Sequence, residues 1–578
     1  MGVKLWFSFL ALTIAVFLTS ATQGRAEGGT DAIRYLPVQD AGRVKPFDTL
    51  AREALELIYG SEKFKTASGE KREAIDIVLT WMLVPGYWDQ QQFFELNHKG
   101  LKDSLKLADA QKYFSPNELM SNPRLSLVMQ ELGSRRATKQ KLDPYFQAVS
   151  RLENQLGMYQ AFKAGSALRV APPLPSDAHP SDAQKTQAEN GAPMEPEKWL
   201  SVAELRGGLQ DKFSIVVRAL IRALPAAEGQ PTPPPADPGL PSLEQAVSDF
   251  KALAKTQNPK LYPADRDINI EVHEKSLHPF MIAWILYLLA ALVLSFAWHL
   301  GNGKLYAGGW AVGICAFLMH SYGFALRMYL TGRPPVSNMY ESVVWVSWGA
   351  VTFAMIFEII YRRRFILIAG YTVGVLCLIV ANLAPTILDS SLQPLEPVLR
   401  SNYWLTIHVL TITLSYSAFF LGWCMGNIGL GMILRGERQN DERVRQLVQS
   451  IYRTIQVGVV LLAAGIILGG IWADYSWGRF WGWDPKETWA LIALLGYLAL
   501  LHGRLVGWVQ NLGMMAASVI AFNLVIMAWY GVNYVLGAGL HSYGFGAGGV
   551  QYVLGFVMLD LTYVFYALYI NRSRVARA

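Results

Sequence analysis

The chain has 578 residues, of which 52% are hydrophobic and only 16% charged, and it carries 18 Trp. A soluble protein of this size holds about 25% charged residues, so a purely soluble fold is excluded. The net charge is +7, but the basic excess gathers in short loops between apolar runs. No basic patch interleaves with aromatics in a polar segment, which excludes a nucleic-acid partner.

In chain order, "MGVKLWFSFLALTIAVFLTSATQGRAEGG" has one lysine, an apolar stretch from Leu5 to Leu18, then small residues. That is the layout of a signal peptide, or of an uncleaved N-terminal anchor, over 1–26. Residues 27–277 are polar and mixed, and should form an exported, mostly helical external domain. Amphipathic helical patterns run over 47–60, 72–83 and 243–255. Two Pro/Ala-rich stretches, 171–199 and 225–242, lack the apolar content for a core. A short alternating piece, "INIEVHEKS" (268–276), leads into the apolar part. His98 and His179 sit in polar contexts and read as solvated surface residues.

Residues 278–578 are dominated by long apolar runs, so the fold class is an all-α polytopic membrane protein with eight or nine transmembrane helices. The candidate spans are 279–300, 305–328, 342–361, 365–384, 403–434, 453–473, 488–503, 513–535 and 550–570. The basic loops "YRRRF" (361–365), "RGERQNDERVR" (435–445) and "NRSRVARA" (571–578) should be cytoplasmic. Alternation then places 329–341, 385–402, 474–487 and 536–549 outside, together with 27–277. The signal and the loop charges thus give one topology, that of a bacterial inner-membrane protein with a periplasmic N-terminal domain.

Cys315, Cys377 and Cys424 each fall inside a span, and no CxxC occurs. A disulfide framework, a thiol-redox pair and a c-type haem attachment site are thereby excluded from the chain itself.

The segment "WGRFWGWDPKET" (477–488) crowds Trp477, Phe480, Trp481 and Trp483 against charge. An interfacial tryptophan belt is one reading. "DPKET" is also a helix entry, with Asp484 as N-cap, Pro485 at the first helical position and Glu487 three residues on. A loop held in a fixed shape makes a rigid aromatic shelf for a large flat ligand, and Arg479 and Lys486 suit anionic groups on its rim. A porphyrin with two propionates fits that description. Haem also needs axial ligands, commonly His. His408, just inside its span, and His541, in "GAGLHSYGFG", both fall on the side of the tryptophan loop.

"WGRFWGWDPKETWALI", with "PPVSNMYESVVWVSWG" (334–349), "RSNYWLTIHVLTITLSYSAF" (400–419), "LHGRL" (501–505) and "LHSYGFG" (540–546), resembles the tryptophan-rich signature of the CcsA/ResC family of System II cytochrome c biogenesis. The resemblance covers roughly 278–570. "LPVQDAGRVKPFDTLA" (36–51) and "EVHEKSLHPF" (271–280) are similar to the external segment before CcsA in fused CcsB–CcsA proteins. What the resemblance implies is export of haem b and its covalent attachment to CxxCH motifs of apocytochromes c, a thioether-forming lyase. It implies His408 and His541 as iron ligands at the external site, with Asp484 fixing the loop, and His502 as an inner haem ligand. The partners implied are a CcsB/ResB-like membrane protein, apocytochromes and thiol-reducing proteins. Two neighbouring readings remain: a CcmF-like protein, and a regulatory haem protein without attachment activity. His320 and His299 match no position of the family and read as structural; the mid-span Asp560 reads as functional or paired.

Overall fold

The computed structural model describes residues 30–66, 68–138, 140, 142–174, 197–224, 239–383, 388–394, 401–536 and 549–576. The leader at 1–26, His179 and His541 lie outside these residues, as do most of the two Pro/Ala-rich stretches. The chain divides into two compact units, Met1–Leu277 and His278–Ala578.

The N-terminal unit is helical with short antiparallel pairs of strands. The amphipathic patterns appear as helices Phe47–Tyr59, Ala74–Leu83 and Leu243–Gln257, and two further long helices span Pro144–Lys163 and Gly207–Ala223. Residues 71–73, which overlap the start of the 72–83 pattern, form a strand paired with 63–65. Strand β1 (Pro37–Asp40) pairs with β2 (Arg43–Pro46). The core gathers Phe47, Trp81, Phe93, Tyr159 and Phe162, all essentially inaccessible. The ends of the first Pro/Ala-rich stretch belong to the fold. Ala171 pairs with Leu200, and Trp199 is 2% exposed and donates its N–H to the Gln39 side chain. The alternating piece 268–276 lies in a helix, Asp265–Leu277. Its buried residues are Ile268, Glu271, Val272, Glu274 and Lys275, mostly at three- and four-residue spacing. Glu271 accepts both guanidinium nitrogens of Arg43, at 2.9 and 2.7 Å.

The second unit is a helical bundle, and nine helices among the described residues are long and apolar enough to cross a membrane. The chain is a multi-pass membrane protein. The helices are α1 (Pro279–Leu300), α2 (Gly303–Thr331), α3 (Met339–Tyr361), α4 (Phe365–Leu383), α5 (Leu410–Leu434), α6 (Glu442–Trp477), α7 (Pro485–Leu505), α8 (Asn511–Ile526) and α9 (Val550–Val575). α1 packs on α2 and α4; α5 is the central helix, lying against α3, α6 and α8; α9 rests on α5 and α8 at the margin. Side-chain caps set several starts, with Asn302 before α2 and Asn338 before α3. Two expected boundaries move. α6 begins inside the basic stretch 435–445 and runs to Trp477, where Gly478 at φ +66° closes it. α7 starts at Pro485, so the loop between them is only 478–484.

Between α2 and α3, Arg327 and Glu341 form an ion pair at 2.9 Å with both side chains 2% exposed. Glu341 also accepts from the Ser337 amide and hydroxyl, and Arg327 donates to the Ser390 carbonyl at 3.0 Å. The pair thereby fixes the 332–338 turn at the same bundle end as the tryptophan loop.

Candidate functional site

Helix α5 does not begin as a regular α-helix. Residues Leu405–Val409 form a π turn, and His408 lies within it. Such wide turns carry one extra residue and recur at functional sites. The His408 ring lies against α6, and its Nδ1 is 2.9 Å from the Gly465 carbonyl. A carbonyl only accepts, so Nδ1 carries the proton and Nε2 holds the lone pair; this tautomer is assigned from the hydrogen bond. The close approach requires glycine on α6. A Cβ on Gly469 would stand 2.6 Å from the His408 ring, and one on Gly465 would meet Ile412 at 2.8 Å.

Two tryptophans that sequence reasoning passed over flank this histidine. Trp472, one turn beyond Gly469, meets the His408 ring edge-on at 5.7 Å. Trp404, just before the π turn, lies parallel to Trp472, with centroids 6.5 Å apart and 9° between planes. The loop joins this face through Phe480, whose ring stands 2.6 Å from where a Cβ on Gly470 would be.

The 478–484 loop is tied down by the start of α7. Asp484 accepts from the Lys486 amide at 3.0 Å, and Glu487 returns to the Asp484 amide at 3.2 Å, completing a capping box. The same Glu487 accepts from the Gly482 amide at 2.8 Å and pairs with Arg479 at 3.2 Å. Arg479 also lies over the Trp477 ring, 5.6 Å from its centroid. Trp481 and Trp483 meet edge to face at 5.8 Å. Trp483 is 70% exposed and adopts φ +56°, a left-handed conformation costly for a bulky residue. Asp484 is buried at 6% exposure. Lys486 turns inward, its ammonium donating to Asn533 Oδ1 at 3.0 Å. Asn533 belongs to a second π turn, Met527–Leu536, which continues α8.

The other histidines separate cleanly. His502 lies at the far end of α7, about 25 Å along the helix from Pro485 at 1.5 Å per residue. It is exposed, and Nδ1 donates to the Leu498 carbonyl at 2.7 Å. His299 is also exposed, beside Trp298 near the end of α1. His320 is fully buried among Phe280, Tyr287 and Phe324, with the Tyr287 hydroxyl 3.3 Å from Nδ1. It reads as a core residue of α1 and α2. Asp560 has neutral partners, the Trp423 indole at 3.1 Å and the Asn427 amide at 3.4 Å, both on α5. In the N-terminal unit, His98 caps the helix Lys99–Leu105 by accepting the Leu101 amide.

The model of the cytochrome C assembly protein family matches residues 336–541, which hold the π turn of His408, the tryptophan loop and His502. The protein NrfI of Wolinella succinogenes is 27% identical over 532 residues, 87% of this chain, and the chain spans about half (53%) of that protein's length. The cytochrome c biogenesis protein CcsA of Parasynechococcus marenigrum is 35% identical over 263 residues, covering 40% of this chain and 85% of the relative. CcsA of Prochlorococcus marinus strain NATL1A is 33% identical over 316 residues, 48% of this chain and 98% of the relative. With the tryptophan loop before α7 and the nine membrane-length helices among the described residues, these matches show that the chain belongs to the CcsA family of cytochrome c biogenesis proteins, extended at its N-terminus.

Proposed function

We infer that this protein carries haem b, as substrate, to the bundle end that bears the tryptophan loop, and there presents it for attachment to CxxCH thiols of apocytochrome c. The observation that carries the reading is the His408 ring, held by the Gly465 carbonyl through Nδ1 so that Nε2 is the coordinating nitrogen. Histidine ligands of metals are held this way, with the second nitrogen donating to a fixed acceptor. Trp472 adds flat apolar surface beside the His408 ring and Trp404 lies parallel to Trp472, which suits a porphyrin better than a small anion. His541, five residues past the second π turn, is the proposed opposite ligand. Arg479 supplies positive charge for a propionate.

Attachment adds each cysteine S–H across a haem vinyl C=C. An S–C and a C–H bond form, the S–H bond and the vinyl π bond break, and no net electron transfer occurs. The chemistry belongs to haem and thiol; the protein orients them and excludes water. His502 is the proposed inner ligand. Its exposure on the outer face of α7 leaves room for a second axial histidine from a CcsB/ResB-like partner. The loop faces the periplasm in this reading, where the apocytochrome and its thiol-reducing proteins act.

The test is co-expression of the full chain with a ResB-like partner and a CxxCH reporter in a host lacking its own maturation system. Covalent haem on the reporter, lost in His408→Ala, supports the reading. A reporter without haem, or one matured equally by His408→Ala, overturns it. Haem retention without attachment would leave the regulatory haem-protein reading in its place.

A further inference from the structure

We propose that helices α1–α4 hold a proton relay that leads through the bundle to His320 and is closed beyond it by the Arg327–Glu341 pair. The inference stands apart from the haem reading. Helix α2 carries Tyr306, Gly313, His320 and Arg327 at seven-residue intervals, so the four lie near one face. From Tyr306 to Arg327 is about 31 Å at 1.5 Å per residue, close to the thickness of a hydrocarbon core. Each of the four meets a polar side chain of a neighbouring helix. The Tyr306 hydroxyl donates to Glu358 Oε1 on α3 at 2.7 Å. Gly313 leaves room for the Tyr371 hydroxyl of α4, which a Cβ there would overlap. His320 Nδ1 is 3.3 Å from the Tyr287 hydroxyl of α1. Arg327 pairs with Glu341 of α3.

Glu358, His320, Arg327 and Glu341 are at most 1% exposed. Ionisable groups buried in spans are costly, and those that occur mark ion paths and proton relays. Core packing accounts for the rings of this file, but not for hydroxyls, an imidazole and carboxylates in one register. The links between them are short. Tyr371 is within electrostatic reach of Tyr306 and Glu358, and its ring stacks on Tyr287 with centroids 5.5 Å apart. Among the described residues, Tyr371 Oη and His320 Nε2 are buried and make no regular hydrogen bond; the ring's other neighbour on α3 is the Val344 backbone. Water bridges buried polar atoms of this kind, and an imidazole passes a proton by taking it at one nitrogen and releasing it from the other. In each transfer one O–H or N–H bond breaks as the next forms, so no oxidant or reductant is needed. Tyr306 is half-buried and opens the file at the end away from the tryptophan loop. At the loop end stands the Arg327 guanidinium, whose permanent charge repels a proton.

The experiment uses the full chain in sealed lipid vesicles that enclose a pH-sensitive dye, with valinomycin and potassium setting the potential. The wild type should be nearly as proton-tight as protein-free vesicles. Arg327→Met with Glu341→Gln should admit protons at least tenfold faster. Adding Tyr371→Phe, which deletes one oxygen from the file, should return that rate to the wild-type level. A double variant as tight as the wild type overturns the proposal and leaves the file as packing. So does a flux that persists in the triple variant, which marks a leak elsewhere, and so does a wild type as permeable as the double variant. A second measurement leaves the ion pair intact. In chain labelled with 15N-histidine, with the His320 signal assigned by its loss in His320→Phe, the ring N–H should exchange with deuterated water at least tenfold more slowly in Tyr371→Phe than in the wild type. Equal rates overturn the relay whatever the fate of the ion-pair variants.

Discussion

A single methyl group separates a seated His408 from a displaced one. Adding Cβ to Gly469 puts a carbon 2.6 Å from the ring Cε1 and 3.1 Å from Nδ1, the nitrogen bonded to Gly465. The α6 backbone is fixed, so the ring must turn and the Nδ1 bond is lost. Gly469→Ala is therefore expected to lower haem retention at least tenfold while helix content by circular dichroism stays constant. Gly555→Ala is the control, because nothing stands within 4 Å of the added carbon. Unchanged retention in Gly469→Ala would show that the ring can move without consequence. The sequence identified His408 as a candidate from its depth and side, but it was silent on what holds the ring. Gly465 and Gly469 look like ordinary small residues of an apolar run, and Trp472 and Trp404 look like any interfacial tryptophans. Their roles depend on how α5 and α6 pack, a relation between segments more than 50 residues apart.

At the scale of elements, the start of α7 was legible because its chemistry is local. Asp484, Pro485 and Glu487 occupy the cap, first and third positions, and the capping box follows. What the local pattern did not reveal is that Glu487 also binds the Gly482 amide and Arg479. One carboxylate thus shapes the whole 478–484 loop. Loss of Asp484 removes one cap, at a cost of about 1 kcal/mol. Glu487→Ala removes three partners, and should lower haem occupancy more than Asp484→Ala. Faster hydrogen exchange at the Gly482 amide in the Glu487 variant would be the direct sign; equal exchange in both variants would count against the shared anchor. The aromatics divide likewise. Trp472→Ala, beside His408, should cost more haem than Trp483→Ala, because Trp483 is 70% exposed. An apolar side chain of this kind contributes about 2–3 kcal/mol only when fully buried. The two π turns had no sequence signal, since five to ten apolar residues in a span fit either helix type.

For the whole molecule, the membrane helices were legible from length and apolar content, because the bilayer imposes one requirement on every span. The N-terminal unit was less so. Its helices Pro144–Lys163 and Gly207–Ala223 mix polar and apolar residues, and its short strands are held by tertiary contacts. Charge pairing in that unit gives it a pH dependence. Burial alone would raise the Glu73 carboxyl, but Lys63, Arg52 and Arg34 outweigh it and hold the group below the ordinary carboxylate range. A depressed folded value means stabilisation that is complete above the unfolded value and lost as pH falls through the folded one. Hydrogen exchange in the 63–73 hairpin of the full chain should therefore accelerate as pH drops below the usual carboxylate range, after correction for the intrinsic rate. Glu73→Gln should flatten that dependence; an unaltered profile would assign it to other carboxylates. In the membrane unit, the Arg327–Glu341 pair is buried on both sides. Removing one partner leaves a lone buried charge, at about 3–5 kcal/mol. Arg327→Met should lower the thermal midpoint, and Arg327→Met with Glu341→Gln should recover part of it.

The wide turn around His408 makes chain length, more than residue identity, the quantity that must be kept between Trp404 and Thr413. A π turn is an α-helix with one residue inserted. Removing any one residue of 405–412 other than His408 would let the segment return to regular winding, and would change the direction in which the residues inside the turn face while its flanks stay close to their places. His408 would then leave the Gly465 carbonyl although it remained in the chain. Conservative substitutions across the same stretch leave the count unchanged and should be tolerated. Homologues that keep the histidine but are one residue shorter here would be expected to have lost the site.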